Sequence, residues 1–339
     1  GEPLANFPLV RWATEYTLEH YKDKHPTFNL TTNLTLVTDE IADFLARTPG
    51  FSVVVSLDGP EEVQNAARVY SANKPTFADA MRGLNTLSKA FIKHGKSLTI
   101  NSVLIPPYTY EKLERINSFF ESLDFLPPLT QCMITYPSPG TFPVENAVEL
   151  MSGNPTYEFG AALNPLLKWQ FEKAKQNGLS WEHTQNIYFN TMLKMMETID
   201  GRMVTDAPDD LYHCNGCCVP GSRKLYVKAN GDLLICERIG SSPIIGNIFT
   251  GIDKTLLSEK YDTEYVARSL PACKNCWAVN LCPICYANCY TEDGIDPAEK
   301  ASNCNGVRSQ LERCFSMFYE LLEENPSALD ALKETTRSS

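Results

Sequence analysis

The stretch Phe28–Pro60, FNLTTNLTLVTDEIADFLARTPGFSVVVSLDGP, holds two apolar or β-branched runs on either side of one helical segment. Phe28 to Thr32 and Phe51 to Leu57 read as strands, and residues 39–47 between them read as a helix with Asp39 as its N-cap. Strand, helix and strand in that order predict parallel pairing through a crossover helix. The alternation continues outward. A helix is expected over residues 5–22, then, beyond Pro60, a helix over 76–93 opened by Thr76 and stopped by Gly95. A strand over Ser97 to Ile105, a helix over 110–122 and a strand over Leu129 to Tyr136 follow. Residues 1–136 therefore read as a repeating β/α unit, a parallel sheet with crossover helices.

From Tyr136 to Pro155 the chain is Pro- and Gly-containing, and two helices, Tyr157 to Asn177 and Asn186 to Ile199, complete a connecting segment over 137–200. A second domain is expected over 201–325. In it Lys224 to Lys228 and Leu233 to Cys236 flank Ala229-Asn230-Gly231-Asp232, a strong hairpin signal. The stretch 273–289 should be irregular, Ser309 to Asn325 should form a closing helix, and residues 326–339 should form a flexible tail.

The chain has 339 residues, 43% hydrophobic and 21% charged, enough for a sizeable core. A net charge of −11 without a long Lys or Arg run argues against nucleic acid or an anionic membrane as the main partner. No apolar stretch approaches the roughly 20 residues that span a bilayer, and a cytoplasmic location is expected. The five histidines have no paired metal spacing.

Eleven of the 12 cysteines lie beyond Gly201. Their order is Cys218, twelve residues, Gly231, four residues, Cys236; then Cys273-x2-Cys276-x5-Cys282-x2-Cys285; and then Cys304. They follow a long core-forming segment, which favours ligation over a disulfide scaffold. Thiolates spaced by two residues converge on one centre, and seven or more ligands imply two centres. Spacing alone leaves structural zinc open beside iron–sulfur clusters. Cys132 and Cys314 read as ordinary buried cysteines.

This run resembles the SPASM domain of radical S-adenosylmethionine (SAM) enzymes, with one residue fewer between Cys282 and Cys285 than that family usually has. Gly1-Glu2-Pro3-Leu4 is similar to the Gly-Gly-Glu-Pro motif of the same enzymes. Thr32-Asn33, Ser56-Leu57-Asp58-Gly59-Pro60 and Asn101 follow at or near successive strand ends, where parallel α/β folds place ligands. The resemblance implies that residues 1–136 form a partial parallel β/α barrel of radical SAM type, followed by a cysteine-rich SPASM domain with a β-hairpin and a closing helix. It implies that the backbone near Gly1 and the Glu2 carboxylate meet the SAM amino group. Ser56, Asn101 and Arg68 would approach the amino-acid or ribose portion, and Asp58 with Gly59-Pro60 reads as a turn.

By the same resemblance, Cys273, Cys276, Cys282 and Cys304 would hold one auxiliary 4Fe–4S cluster. Cys218, Cys236 and Cys285 would hold another, with Cys285 preferred to Cys289. Its fourth ligand would be Cys214 or Cys217, or the iron would stay open to a substrate thiolate. The family's Cys-x3-Cys-x2-Cys loop, which binds a third, SAM-cleaving cluster, lies upstream of the Gly-Glu-Pro motif. The chain is accordingly read as N-terminally truncated and, as written, inactive alone.

Cys214-x2-Cys217-Cys218-Val219-Pro220-Gly221, Cys236-Glu237-Arg238 and Cys276-Trp277-Ala278 resemble maturases of cysteine-rich ribosomal peptides, which form thioether crosslinks. The partners implied are a cysteine-rich precursor peptide and an electron donor such as ferredoxin or flavodoxin. Sulfatase-type maturation to formylglycine is the alternative, with Glu237, directly after the hairpin cysteine, as its base. A third reading is a non-catalytic cluster-bearing scaffold that binds peptide.

Overall fold

Each of the four apolar runs becomes a strand: β1 Phe28–Thr32, β2 Phe51–Ser56, β3 Thr99–Val103 and β4 Gln131–Thr135. They pair in the order β1-β2-β3-β4, all parallel. The structure is a computed structural model and describes residues 1–106, 109–135, 159–202, 218–222 and 224–335. Cys214, Cys217 and the Pro- and Gly-containing stretch after Tyr136 lie outside the described residues.

Helix α1 (Phe7–Tyr21) precedes β1. Helix α2 (Asp39–Arg47) joins β1 to β2, α3 (Glu61–Ala67) and α4 (Phe77–Lys93) join β2 to β3, and α5 (Tyr110–Glu121) joins β3 to β4. The cap of α2 is Thr38 rather than Asp39: the Thr38 hydroxyl accepts from the Ile41 N–H at 3.3 Å, and Asp39 is the first helical residue. Thr76 makes no side-chain cap bond, because its hydroxyl donates to the Arg68 carbonyl at 2.6 Å. Gly95 ends α4 with a φ of 64°.

Strand register sorts the sheet into two unlike faces. Thr32, Val55, Ile100 and Cys132 form one row, each 1% exposed or less. The neighbouring row is Thr31, Val54, Thr99 and Gln131, and Ser56, Asn101 and Met133 lie on that same face. Apart from buried Ser56, these residues are half-buried or exposed. Parallel sheets ordinarily have both faces covered by apolar packing. Here one face is buried along its whole width, and the other is polar and partly open, as the inner wall of a partial barrel is.

Close approaches fix the helices. A Cβ on Gly83 of α4 would stand 2.1 Å from the Leu34 carbonyl oxygen, so only glycine lets α4 lie against the loop after β1. The Lys96 ammonium donates to the carbonyls of Leu45, Thr48 and Phe51 at 3.1, 2.6 and 3.2 Å, satisfying acceptors at the end of α2.

The chain divides into two compact units, Gly1–Met196 with Glu320–Ser339, and Glu197–Tyr319. The first unit includes the segment expected to be a flexible tail. Pro326–Leu329 and Asp330–Thr335 are helical, and Ala328, Leu329, Ala331 and Leu332 are buried. The reason is a pair of backbone bonds to one residue: Leu179 N–H donates to Ala328 O at 2.8 Å, and Ala331 N–H to Leu179 O at 3.3 Å.

In the second unit, β5 (Tyr226–Val227), β6 (Asp232–Leu234), β7 (Gly246–Asn247) and β8 (Gly251–Ile252) form an antiparallel sheet. The expected hairpin is its first half, turning through Gly231 at a φ of 87°. Its core combines Leu233, Ile235, Ile239 and Ile245 with Tyr261, Tyr265, Tyr286 and Tyr290. Tyr290 stacks on Tyr261, with ring centres 4.9 Å apart, and Tyr286 meets Tyr261, Tyr265 and Tyr290 edge-on. The closing helix is Pro297–Glu324, starting well before the expected Ser309. Asp296 caps it by accepting from Ala298 and Glu299 N–H at 2.8 and 3.3 Å. The polar run Ser302 to Gly306 hides this first part from an apolar-periodicity reading.

Candidate functional site

Glu2 precedes a short helical turn, Pro3–Asn6, and its carboxylate is tied to the end of β1. Oε1 accepts from Leu4 N–H at 3.0 Å and from the Thr32 hydroxyl at 2.9 Å, and Oε2 accepts from Asn33 N–H at 2.8 Å. Gly1 is exposed beside it. Ser56 is the last residue of β2 and lies in register with Asn101 of β3. The Asn101 side-chain carbonyl accepts from the Thr135 hydroxyl at 3.0 Å. Three expected SAM-binding side chains thus stand at or near the carboxyl ends of three adjacent parallel strands. Hydrogen bonds to Thr32 and Asn33 hold Glu2 there, and the strand register gives Ser56 and Asn101 one common face.

Arg68 directly follows α3, and its Nε donates to Asp58 Oδ2 at 2.7 Å. Asp58 is more than a turn residue. It is 2% exposed, its Oδ1 accepts from Val103 N–H at 2.9 Å, and its carbonyl accepts from the Ser102 hydroxyl at 2.8 Å. Sequence reasoning missed this role, since a Ser-Leu-Asp-Gly-Pro run looks like a turn from local composition. The signal available was an Arg ten residues on, at the end of the following helical segment.

The thiols sort into two sets. Cys273 ends the helix Glu264–Cys273, and Cys276 and Cys282 follow on tight turns, with Cys276 N–H donating to Cys273 O at 2.9 Å and Cys282 N–H to Val279 O at 3.3 Å. Cys304 comes from the helix Pro297–Glu324. These four line one pocket with Ile284, Val307 and two cations, Lys300 and Arg308. Burial pushes the Cys282 thiol up, as do the nearby Cys304 and Cys273, while the Ile284 N–H and Lys300 act against that rise.

For the other set, no described interaction joins Cys218, Cys236 and Cys285 to one another. Cys218 is exposed, and Cys236 and Cys285 are half-buried. The Cys285 thiol lies 3.5 Å from Asn288 Oδ1, whereas Cys289 is 1% exposed inside the tyrosine core. Cys132 and Cys314 are buried, and burial pushes both thiols up. No disulfide joins the described cysteines. Among the described residues no three His, Cys, Asp or Glu side chains are grouped to hold a single metal ion.

Glu237 accepts from Lys224 Nζ at 3.0 Å and from the Cys236 thiol at 3.3 Å. Its own backbone N–H, then Lys224 and the Cys236 thiol, hold its carboxyl down at about 2. The Cys236 S–H here stands for the protonated thiol, and a metal-bound thiolate would not donate. The cation that pairs with Glu237 is Lys224.

Residues 1–120 match the model of the radical SAM superfamily. Taken with the one-sided parallel sheet and the cysteine-rich unit, this defines the fold as radical SAM type with a C-terminal cysteine-rich part. An uncharacterized protein of Methanocaldococcus jannaschii is 28% identical over 251 residues, 73% of this chain and 70% of that one. The serine-type anaerobic sulfatase-maturating enzyme of Bacteroides thetaiotaomicron is 37% identical over 70 residues, 21% of this chain and 17% of the enzyme. Among solved structures, native anSMEcpe with bound AdoMet aligns over 98% of this chain and 82% of its own, with a TM-score of 0.62 and 19% identity. Native anSMEcpe with bound AdoMet and Kp18Cys peptide aligns over 98% and 84%, with a TM-score of 0.61 and 19% identity. At that identity the likeness is one of fold. No helix among the described residues is long and apolar enough to cross a membrane.

Proposed function

We propose that this chain is the main part of a radical SAM maturase that modifies a ribosomally made, cysteine-bearing peptide. The observation that carries the reading is the open polar sheet face with Glu2, Ser56 and Asn101 at its strand ends, in a chain that also holds a four-thiol pocket. Glu2 would take the SAM ammonium, and Ser56, Asn101 and Arg68 its polar amino-acid and ribose groups. Asp58 holds Arg68 from one edge and leaves the rest of the guanidinium fork for an anionic group. SAM, when cleaved reductively, supplies a radical that abstracts hydrogen. The electron would come from a one-electron protein donor of the ferredoxin or flavodoxin class, in the cytoplasm.

The four-thiol pocket suits an iron–sulfur cluster. A cubane takes one thiolate at each of four corners. Cys218, Cys236 and Cys285, with Cys214 or Cys217, remain our assignment for a second cluster. If neither of those two is the fourth ligand, the open position would bind the peptide thiol as thiolate. Thioether crosslinking is the outcome we propose first. Formylglycine formation is a second reading, supported by Glu237 beside Cys236 and by the sulfatase-maturating enzyme among the relatives.

Anaerobic reconstitution with iron and sulfide tests the metal assignment. Two cubanes require about eight irons per chain, and stoichiometric zinc without iron would sink it. The product of the whole gene, incubated with SAM, a reductant and a cysteine-bearing peptide, tests the activity by mass spectrometry. Loss of two hydrogens indicates a thioether, and conversion of the cysteine CH2–SH to an aldehyde on the same carbon, with loss of sulfur and two hydrogens and gain of one oxygen, indicates formylglycine. An unaltered peptide and no SAM binding would leave the scaffold reading.

A further inference from the structure

Lys300 is 7% exposed and stands in the first turns of the helix Pro297–Glu324, where the helix dipole disfavours a cation. Its ammonium donates to the Tyr265 hydroxyl at 3.0 Å and the Ser269 hydroxyl at 2.7 Å, and it sits 4.3 Å from the centre of the Tyr265 ring. Among the described residues no carboxylate lies within ion-pair distance of it, although the chain has 41 Asp and Glu against 30 Lys and Arg. Two neutral hydroxyls and a ring face are poor compensation for a buried charge, which normally requires a counter-ion. Lys300 is also one of the residues that line the thiol pocket. Lys300, Cys304, Val307 and Arg308 line that pocket from one helix face at helical spacing, opposite Cys273, Cys276 and Cys282.

We infer that Lys300 is the fixed counter-charge of the metal centre held by Cys273, Cys276, Cys282 and Cys304, and that it sets that centre's reduction potential. The inference rests on the cluster assignment proposed above. Four thiolates around a cubane carry net negative charge, and one-electron reduction by an external donor adds one more unit of it. A positive charge fixed beside the site stabilises the reduced form more than the oxidised form and raises the potential. Tyr265 and Ser269 hold the ammonium in place. Lys300 acts through its field on the ligated centre and is a positioning residue.

The test is an EPR-monitored dithionite titration of the reconstituted chain, with iron counted in every sample. The signal that disappears in Cys282→Ala identifies the centre in question. In Lys300→Met the midpoint of that signal should move to more negative potential at unchanged iron content, and Lys300→Arg should return it toward the wild-type value. Ser269→Ala, which loosens the ammonium without removing it, should give a smaller shift of the same sign. If Lys300→Met does not load iron, Lys300→Gln takes its place. Iron lost from both neutral variants and retained by Lys300→Arg, with an unchanged far-ultraviolet spectrum, would support the same charge requirement. An iron-replete neutral variant with the wild-type midpoint overturns the inference, as does equal loss of iron from Lys300→Arg. Absence of iron from the wild-type pocket would instead sink the cluster assignment and is distinguished by the iron count.

Discussion

Asp58 accepts from the Arg68 guanidinium and from Val103 N–H while 2% exposed. Removing its carboxylate leaves a partly buried guanidinium and a backbone donor without partners, and such losses are expensive. Asp58→Ala should cost about 3 kcal/mol, read as a lower urea midpoint. Asp58→Asn keeps an acceptor for Val103 and should cost less. At the same scale, Cys289 and Cys285 separate by burial: one is packed among tyrosines, and the other stands half-buried at a turn. Cys285→Ala should therefore lower the iron content of the reconstituted chain. Cys289→Ala should leave iron in place and lower stability by about 1–2 kcal/mol through lost packing.

Two contacts between elements carry further predictions. Gly83 lets α4 touch the backbone at Leu34, which is 0% exposed and has a φ of 71°. In an open helix Gly83→Ala would gain about 1 kcal/mol from propensity. Here the added methyl meets a carbonyl oxygen and should give a net destabilisation of about 1–3 kcal/mol, checked by thermal unfolding. Glu114 of α5 meets Lys173 at 2.8 Å and the Trp169 Nε1–H at 3.0 Å, both on the helix Phe159–Asn177. Burial pushes its carboxyl up, but the bonds from Lys173 and Trp169 outweigh that and leave it lowered. A carboxyl lowered in the folded state contributes stability above its unfolded value of about 4.3, and loses it as pH falls through the folded value. Wild type and Glu114→Gln should therefore differ at neutral pH, by no more than about 1 kcal/mol for a half-exposed pair, and converge in acid. A difference that persists at the acid end would contradict the pairing.

For the whole molecule, the two units differ in how they are held. The first has a four-stranded parallel sheet with a buried apolar face, and the second has strands of two or three residues around a small core. A unit of the second kind depends more on ligands for stability. Removing iron should raise amide hydrogen exchange across Glu197–Tyr319 and leave β1 to β4 protected, and a uniform rise would count against this. The sequence by itself determined the strands of the sheet and its helices other than the short α3, because β-branched runs and helical periodicity act over a few residues. It also determined that Glu2, Ser56 and Asn101 fall near strand ends and that the cysteines share one region. Only the tertiary structure decided which sheet face stays open, that Asp58 holds Arg68, that the segment Pro326–Leu332 packs through Leu179, and that Lys300 lines one pocket with four cysteines. These depend on what packs across from each residue. Lys300 meets Tyr265 and Ser269 from more than 30 positions away, and no local periodicity records such a pairing.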